Sequence, residues 1–177
     1  MQELDAFEGM VRKGEEVTPA GLSELISHAA ALLFMNEADN SLVGISALKR
    51  PRQTYRRKVF KRAHSKLDPE DYCFELGWVF VAKSHRGRRL SRILVKELIP
   101  HMGTEKVYAT CRKSNKPMRR TLERFGFRRE GSPYVADNSY YTLELYVRPS
   151  ASPKKNPLEK KWIENIREKT NEAADLV

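Results

Sequence analysis

Hydrophobic and polar positions follow two periods along this chain, and the clearest change from one to the other falls within residues 72–95. From Tyr72 to Val81 aromatic and β-branched residues run almost unbroken, the pattern of a strand buried on both faces. One ionisable residue, Glu75, interrupts that run. Alternation places Glu75 on one face with Gly77, Val79 and Val81, opposite Phe74, Leu76, Trp78 and Phe80. The chain then turns through Ser84, Arg86 and Gly87, after which Leu90, Ile93, Leu94 and Leu98 recur at helical spacing. A strand, a turn and a helix N-terminus form an anion site, because the first amides of a helix have no partner inside it. Here those amides lie among Arg86, Arg88, Arg89 and Arg92, so a ligand carrying phosphate is the expected guest.

The same periods divide the rest of the chain. Residues 7–17 hold a short apolar patch (Phe7, Met10, Val11) before Arg12-Lys13-Gly14-Glu15-Glu16, and read as a first strand and turn. Thr18-Pro19 is a helix start, followed by a stripe of Leu22, Leu25 and Ile26. Leu32–Met35 and Leu42–Ser46, joined by Ala38-Asp39-Asn40-Ser41, read as a β-hairpin that Pro51 ends. Residues 49–66 carry nine basic residues and no acidic one, with Tyr55, Val59, Phe60 and Ala63 at helical spacing. This is a basic amphipathic helix that either lines the path of an acidic partner such as nucleic acid or is a solvated face over a buried stripe. Pro100 and Gly103 stop the helix after Leu98, and Lys106–Cys111 is a short strand. Ser114-Asn115-Lys116-Pro117 opens a helix through Met118, Leu122 and Phe125 that Gly126 closes. Tyr140–Val147, reached through Asp137-Asn138-Ser139, is a further strand. Residues 150–177 stand apart from a domain spanning 1–149: a linker rich in Pro and Ser leads to an amphipathic helix marked by Leu158, Trp162, Ile163 and Ile166. That helix packs back or pairs with a partner, a second copy of the chain included.

Composition adds limits to this outline. With 177 residues and 40% hydrophobic content, the chain can bury a real core as one domain of mixed α/β class. No apolar run reaches the roughly 20 residues that cross a bilayer, and the first residues lack a secretory pattern. Cys73 and Cys111 have no metal-ligand spacing and read as reduced, buried thiols in strands of a cytoplasmic protein. The net charge of +10 favours an acidic partner: nucleic acid, an acidic protein or a phosphorylated cofactor.

Two motifs, in order and separated by one helix and one strand, resemble those of the GNAT superfamily of N-acyltransferases. Val81-Ala-Lys-Ser-His-Arg86-Gly-Arg-Arg-Leu-Ser91 is similar to its acyl-CoA-binding loop, usually Arg/Gln-x-x-Gly-x-Gly/Ala. Asn115-Lys-Pro-Met118-Arg-Arg-Thr-Leu122-Glu-Arg-Phe-Gly126-Phe127 resembles its second signature. The resemblance spans residues about 7–147. It implies a mixed sheet of six to seven strands flanked by helices and splayed between the fourth and fifth, where the strand ending at Val81 parts from the one ending at Cys111. It implies acetyl-CoA as cofactor, with its pyrophosphate on the amides of Arg86, Gly87, Arg88, Arg89, Leu90, Ser91 and Arg92. The backbone of Val79, Phe80 and Val81 would pair with the pantetheine arm, and Asn115 would bond near the sulfur.

Three residues depart from the pattern. Arg89 stands where the family prefers Gly, which suits a backbone already at helical angles. Ser91 replaces the last Gly or Ala. Leu122 occupies the place of a Tyr that protonates the leaving thiolate, a part left to Tyr134, Tyr140, Tyr141 or water.

The chemistry implied is direct attack by an amine on a bound thioester, which needs a base. Glu75 is the candidate, since burial on the central strand would raise its pKa to a useful value. The alternative is a carboxylate paired with an Arg or an amide for structural reasons. A backbone N–H near Val81 would polarise the carbonyl. His85 lies beside the phosphate loop as a surface residue, His28, His64 and His101 show no partner, and Cys111 would need a base to act as nucleophile. Two functions follow: acetyl transfer to a small amine, an amino acid or a protein amine, or action on nucleic acid or tRNA through residues 49–66.

Overall fold

The computed structural model describes residues 2–14, 21–136 and 140–150. The Thr18-Pro19 helix start, the Asp137–Ser139 turn, the linker past residue 150 and the helix through Leu158–Ile166 lie outside them. Six strands, β1 (Ala31–Asn36), β2 (Leu42–Lys49), β3 (Phe74–Val81), β4 (Val107–Arg112), β5 (Arg128–Val135) and β6 (Thr142–Arg148), form one sheet in the order β1-β2-β3-β4-β6-β5. Only β3 and β4 run parallel, and their pairing is limited to Phe74 with Val107 and Glu75 with Tyr108. Beyond Glu75 the two strands part, so the sheet is splayed at the junction the sequence points to. The junction lies between the third and fourth strands because one expected strand is a helix.

That helix is α1 (Gln2–Lys13). Phe7, Met10 and Val11 are three and four residues apart, the spacing of one helical face, and all three are buried against Ile45 and Ala47 of β2. α2 (Leu22–Ser27) buries Leu22 and Ile26 in the same cluster. α3 (Gln53–Arg62) covers the far half of this sheet face, where Val59, Phe60 and Ala63 meet Tyr108, Leu145 and Val147. α4 (Leu90–Met102) and α5 (Lys116–Arg124) cover the opposite face through Val95, Leu98, Met102 and Leu122. Pro100 does not stop α4; it sits in the last turn, and Gly103 ends the helix at φ 53°. The first face is therefore covered by two separate clusters, and Glu75 lies in the gap between them.

β5 is a strand that no periodicity in Arg128–Val135 announces. It exists because its backbone pairs with β6 on either side of an irregularity between Glu130 and Tyr134. Gly131 makes that irregularity at φ +63°, where the Ala63 carbonyl leaves no room for a Cβ and Ser132 N–H donates to that carbonyl at 2.7 Å. Cys73 precedes β3 and is exposed, contrary to the reading of a buried strand thiol, while Cys111 is buried in β4.

The turn Pro69–Asp71 ties α3 to β3 through one carboxylate. Glu70 accepts from Gln53 at 2.9 Å, Arg56 at 2.6 Å and Arg57 at 2.7 Å. The Gln53 hydrogen bond and then those of the two guanidinium groups hold its pKa down, from 4.5 to about 2. A carboxylate depressed in the folded state contributes stability above its unfolded pKa and loses it as pH falls through the folded one. Acid titration of unfolding is therefore expected to show stability falling between about pH 4.5 and pH 2, with a shallower fall over that window in Glu70→Gln. Equal slopes in the two proteins would remove Glu70 as a contributor.

Candidate active site

The splay opens a cleft of about 1230 Å³. That exceeds the roughly 300–1,000 Å³ of a site for a drug-sized ligand, and leaves room for an extended cofactor beside an acceptor. Its walls bring together Glu75, Val79, Phe80, Val81, Arg86, Gly87, Arg89, Leu90, Ser91 and Asn115. Two of the expected cofactor residues, Arg88 and Arg92, are not among the lining residues; Arg88 turns instead to Glu37 at 3.4 Å.

Glu75 forms the floor of the cleft's inner half and is 2% exposed. Its nearest partner is a cation from the neighbouring strand: Lys49 Nζ lies 2.7 Å from Oε2 and faces it directly across β2 and β3. Tyr108 and Thr110 donate hydroxyl hydrogen bonds to the two carboxylate oxygens, each at 3.4 Å, so the lysine is the close contact. The partner is thus neither an arginine nor an amide. Gly77 makes the pair possible, since a Cβ there would stand 2.5 Å from Lys49 Cε.

The face on which β3 presents its residues changes partway along. Ala47 pairs with Gly77 and Ile45 with Phe80, so Trp78 and Val79 together oppose the single residue Ser46. This is a β-bulge, and Trp78 carries it at φ 50°, a conformation that a bulky residue adopts only when its surroundings hold it there. Phe7 packs edge-on to the Trp78 ring at 6.0 Å, and Lys49 Nζ sits 5.2 Å from its centre. The bulge reverses the expected alternation: Trp78 and Phe80 share the side of Glu75, while Val79 joins Leu76 beneath α4. Past Glu75, the β3 edge toward β4 has no strand partner among the described residues.

At the other end of β3 comes the basic turn. Lys83–His85 makes one 3-10 turn, Gly87 takes φ 83°, and Arg89 takes φ 60°, ψ 21° immediately before α4. Arg89 is therefore in left-handed rather than ordinary helical geometry, a strain of about 1 kcal/mol for a residue with a side chain. That choice explains the family's glycine, and it points the amides of Gly87, Arg88 and Arg89 away from backbone partners among the described residues. The Arg86 guanidinium stacks 5.6 Å from the Phe80 ring and donates to the Val81 carbonyl, which braces the turn on the strand. His85 is held by Glu37 at 2.8 Å.

Asn115 caps α5, its Oδ1 accepting from Met118 N–H at 3.1 Å, and still borders the cleft. Leu122 is fully buried in the core between β4 and α5 and offers nothing to the cleft. Tyr140 is fully exposed, and Tyr141 lies under the Arg112 guanidinium at 4.0 Å. The tyrosine that lines the cleft is Tyr55, read from sequence only as part of an apolar stripe. As a residue it is 44% exposed because it borders open space. Its hydroxyl nevertheless faces inward: the charge of Glu75 and then desolvation raise its pKa, against a hydrogen bond with Thr110. The signal for Tyr55 was its place one turn into a helix after Lys49, but nothing in the sequence sets α3 against Glu75.

The basic segment 49–66 is largely satisfied within the molecule. Lys49 pairs with Glu75, Arg52 with Glu24, and Arg56 and Arg57 with Glu70, while Arg62 donates to the Val135 carbonyl. Among the described residues no helix is long and apolar enough to cross a membrane.

Comparison with known proteins agrees with this geometry. The model of the acetyltransferase (GNAT) family matches residues 3–127. No curated protein matches the chain by sequence. Among solved structures, a protein assigned to the GNAT family from Bordetella pertussis is 19% identical, with 82% of this chain and 88% of that one covered at a TM-score of 0.58. A GNAT-family acetyltransferase from Bacillus cereus is 14% identical over 86% and 94% of the two chains, TM-score 0.56. The yncA protein of Salmonella typhimurium, solved with its cofactor acetyl-CoA, is 20% identical over 70% and 68%, TM-score 0.50. At these identities the likeness is one of fold, and the family match carries the assignment. With a splayed sheet, a free strand edge and an open amide turn in place, the chain belongs to the acetyltransferase (GNAT) family, whose acyl donor is acetyl-CoA.

Proposed function

We propose that this protein acetylates a primary amine by direct transfer in a ternary complex, with Glu75 as general base. The observation that carries the reading is that one cleft holds a buried carboxylate at one end of β3 and an amide-rich basic turn at the other. The chain's groups fit the cofactor in kind. Gly87 to Ser91 offer backbone donors to a pyrophosphate, with Arg86 and Arg89 supplying charge. Val79, Phe80 and Val81 offer an unpaired strand edge to an amide-bearing arm. Asn115 retains its side-chain N–H₂ as a donor, since capping uses only the oxygen.

Acetyl-CoA supplies the acyl thioester, and the exchange forms an amide C–N bond, breaks the C–S bond and returns a thiol. Glu75, directly or through one water, takes the proton that an ammonium must lose before its nitrogen can attack. Lys49 and the hydroxyls of Tyr108 and Thr110 hold that carboxylate in one orientation. The bulge at Trp78 and Val79 interrupts the β2–β3 ladder, and a strand amide there would be the donor for the acyl carbonyl. Leu122 contributes no acid, so the thiolate takes its proton from water or from another hydroxyl of the cleft, where Tyr55 is the lining tyrosine.

The test is binding followed by turnover. Calorimetry should detect CoA binding by the purified protein, and thiol release from acetyl-CoA should depend on an added amine, with the acetylated product seen by mass. Absence of CoA binding would sink the reading.

A further inference from the structure

We infer that Lys49 is itself a site of acetylation: when no acceptor is present, its ε-amine receives the acyl group from the thioester bound to the same chain, with Glu75 as base. The inference rests on the transferase reading above and adds a modification site to the same cleft.

Among the described residues three lysines line the cleft: Lys13, Lys49 and Lys83. Lys83 belongs to the basic turn, and Lys13 precedes Gly14, which borders the Phe80 ring near that turn. Lys49 is the one at the Glu75 end, with its Nζ 2.7 Å from Oε2. Its backbone faces Glu75 across the β2–β3 ladder, yet its Cε and Nζ lie 2.5 and 3.0 Å from where a Cβ on Gly77 would stand. Nζ is also 5.2 Å from the centre of the Trp78 ring. The side chain therefore runs along β3 from Glu75 toward the bulge, the end at which the reading above puts the acyl carbonyl.

An acceptor amine needs contact with the base, a place in the cleft and a path to the bulge, and Lys49 has all three. Its side chain keeps 17% of its surface exposed, whereas Glu75 is buried. An ammonium on a flexible four-carbon stem can swing from the carboxylate toward a neighbouring group. The missing side chain of Gly77 leaves it the space to do so. Tyr108 and Thr110 remain within reach of the Glu75 oxygens when the lysine moves.

The step balances with acetyl-CoA as the one co-reactant. The Lys49 ammonium gives a proton to the Glu75 carboxylate, and the free amine attacks the thioester carbonyl carbon. The C–N bond forms and the C–S bond breaks, its electron pair leaving on sulfur. The second proton of the nitrogen passes to that thiolate, and Glu75 releases its own to water. The products are Nε-acetyl-lysine at position 49 and CoA. Acetylation removes the cation that Glu75 is paired with.

The experiment incubates the full-length protein with acetyl-CoA and no acceptor, then maps acetyl groups by peptide mass. Lys49 should gain the group at least roughly 10-fold faster than the exposed Lys61 and Lys66, a modest part of what proximity and a positioned base supply. Its first-order rate constant should not change as the protein is diluted, as transfer within one chain requires. Glu75→Gln should slow Lys49 and leave Lys61 and Lys66 as they are. Excess CoA should do the same on the parent protein, where no substitution disturbs the fold. A second readout uses no acetyl-CoA: bound CoA should protect Lys49, but not Lys61 or Lys66, from trace labelling by acetic anhydride, since its amine is reached through the cleft. The inference is overturned by labelling no faster than at the exposed lysines, by a rate constant that rises with protein concentration, by an unchanged rate in Glu75→Gln or under excess CoA, or by no protection. CoA binding with acetylation of an added amine, but none at Lys49, sinks this inference alone. Absence of CoA binding removes the transferase reading and this inference with it.

Discussion

Glu75→Gln is expected to lower kcat/KM by about 100-fold or more, the usual contribution of a positioned general base, while CoA affinity stays as it is. The substitution keeps the side chain's shape and an oxygen acceptor for Lys49, 2.7 Å away, but removes the atom that can take up a proton. CoA affinity should not change, because the phosphate turn lies at the far end of β3. Thermal unfolding must be read beside the kinetics. Breaking a buried ion pair by removing one charge costs about 3 kcal/mol or more. A variant that melts much lower and binds CoA poorly would assign Glu75 to architecture. Activity within a few-fold of the parent would remove it as the base. Loss of rate with unchanged CoA binding and a retained fold is the outcome the geometry predicts.

The largest effect on stability is expected at Gly131, far from the chemistry. Alanine there would put its Cβ 2.0 Å from the Ala63 carbonyl oxygen and 3.0 Å from that carbonyl carbon. Neither atom can yield by rotating a side chain, since both belong to the backbone at the exit of α3. The carbonyl is also fixed by the Ser132 amide at 2.7 Å. Left-handed strain at φ +63° adds to the clash. Together they should cost about 3 kcal/mol or more. For a domain of this size, where each kcal/mol lowers the melting temperature by roughly 2–4 °C, that is a fall of about 10 °C. Gly21 provides the control: it has a similar backbone at φ +72°, but a Cβ would meet nothing within 4 Å. Gly21→Ala should therefore cost only the conformational part, about 1 kcal/mol. Equal losses at the two positions would show that the contact with Ala63 is not what constrains β5. The consequence reaches the site as well, since α3 carries Tyr55 and forms one wall of the cleft.

Local pattern and distant contact divide the molecule between them. The passage from β3 through Gly87 into α4 is legible because each step is local: β-branched residues for the strand, glycine for the turn, apolar spacing for the helix. The cap of α5 is legible for the same reason, since Asn115 bonds an amide three residues on. Those two stretches were enough to point to the family. α1 is less clear, because three apolar residues before a basic turn fit a short strand as well as a helix, and the neighbouring α2 and β2 decide between them. β5 depends wholly on its partner: Arg-Arg-Glu-Gly-Ser-Pro-Tyr-Val has no alternation and only Tyr134 and Val135 as apolar residues, and it is a strand because β6 lies beside it.

The chemistry divides in the same way. That a carboxylate interrupts an apolar strand is visible in the order of residues, and so is the basic turn that begins eight residues further on at Lys83. Which face each residue takes is not, because the bulge at Trp78 depends on how β2 and β3 are matched. Nor is the partner of Glu75. Lys49 is 26 residues away in a stretch that looks like uniform basic surface, and it meets Glu75 only because antiparallel pairing sets the two side by side, with Gly77 leaving room. Periodicity and turn chemistry act over a few residues and can be read along the chain. Registry, ion pairing and the shape of a cleft arise from elements distant in sequence, and they exist only once the sheet has formed.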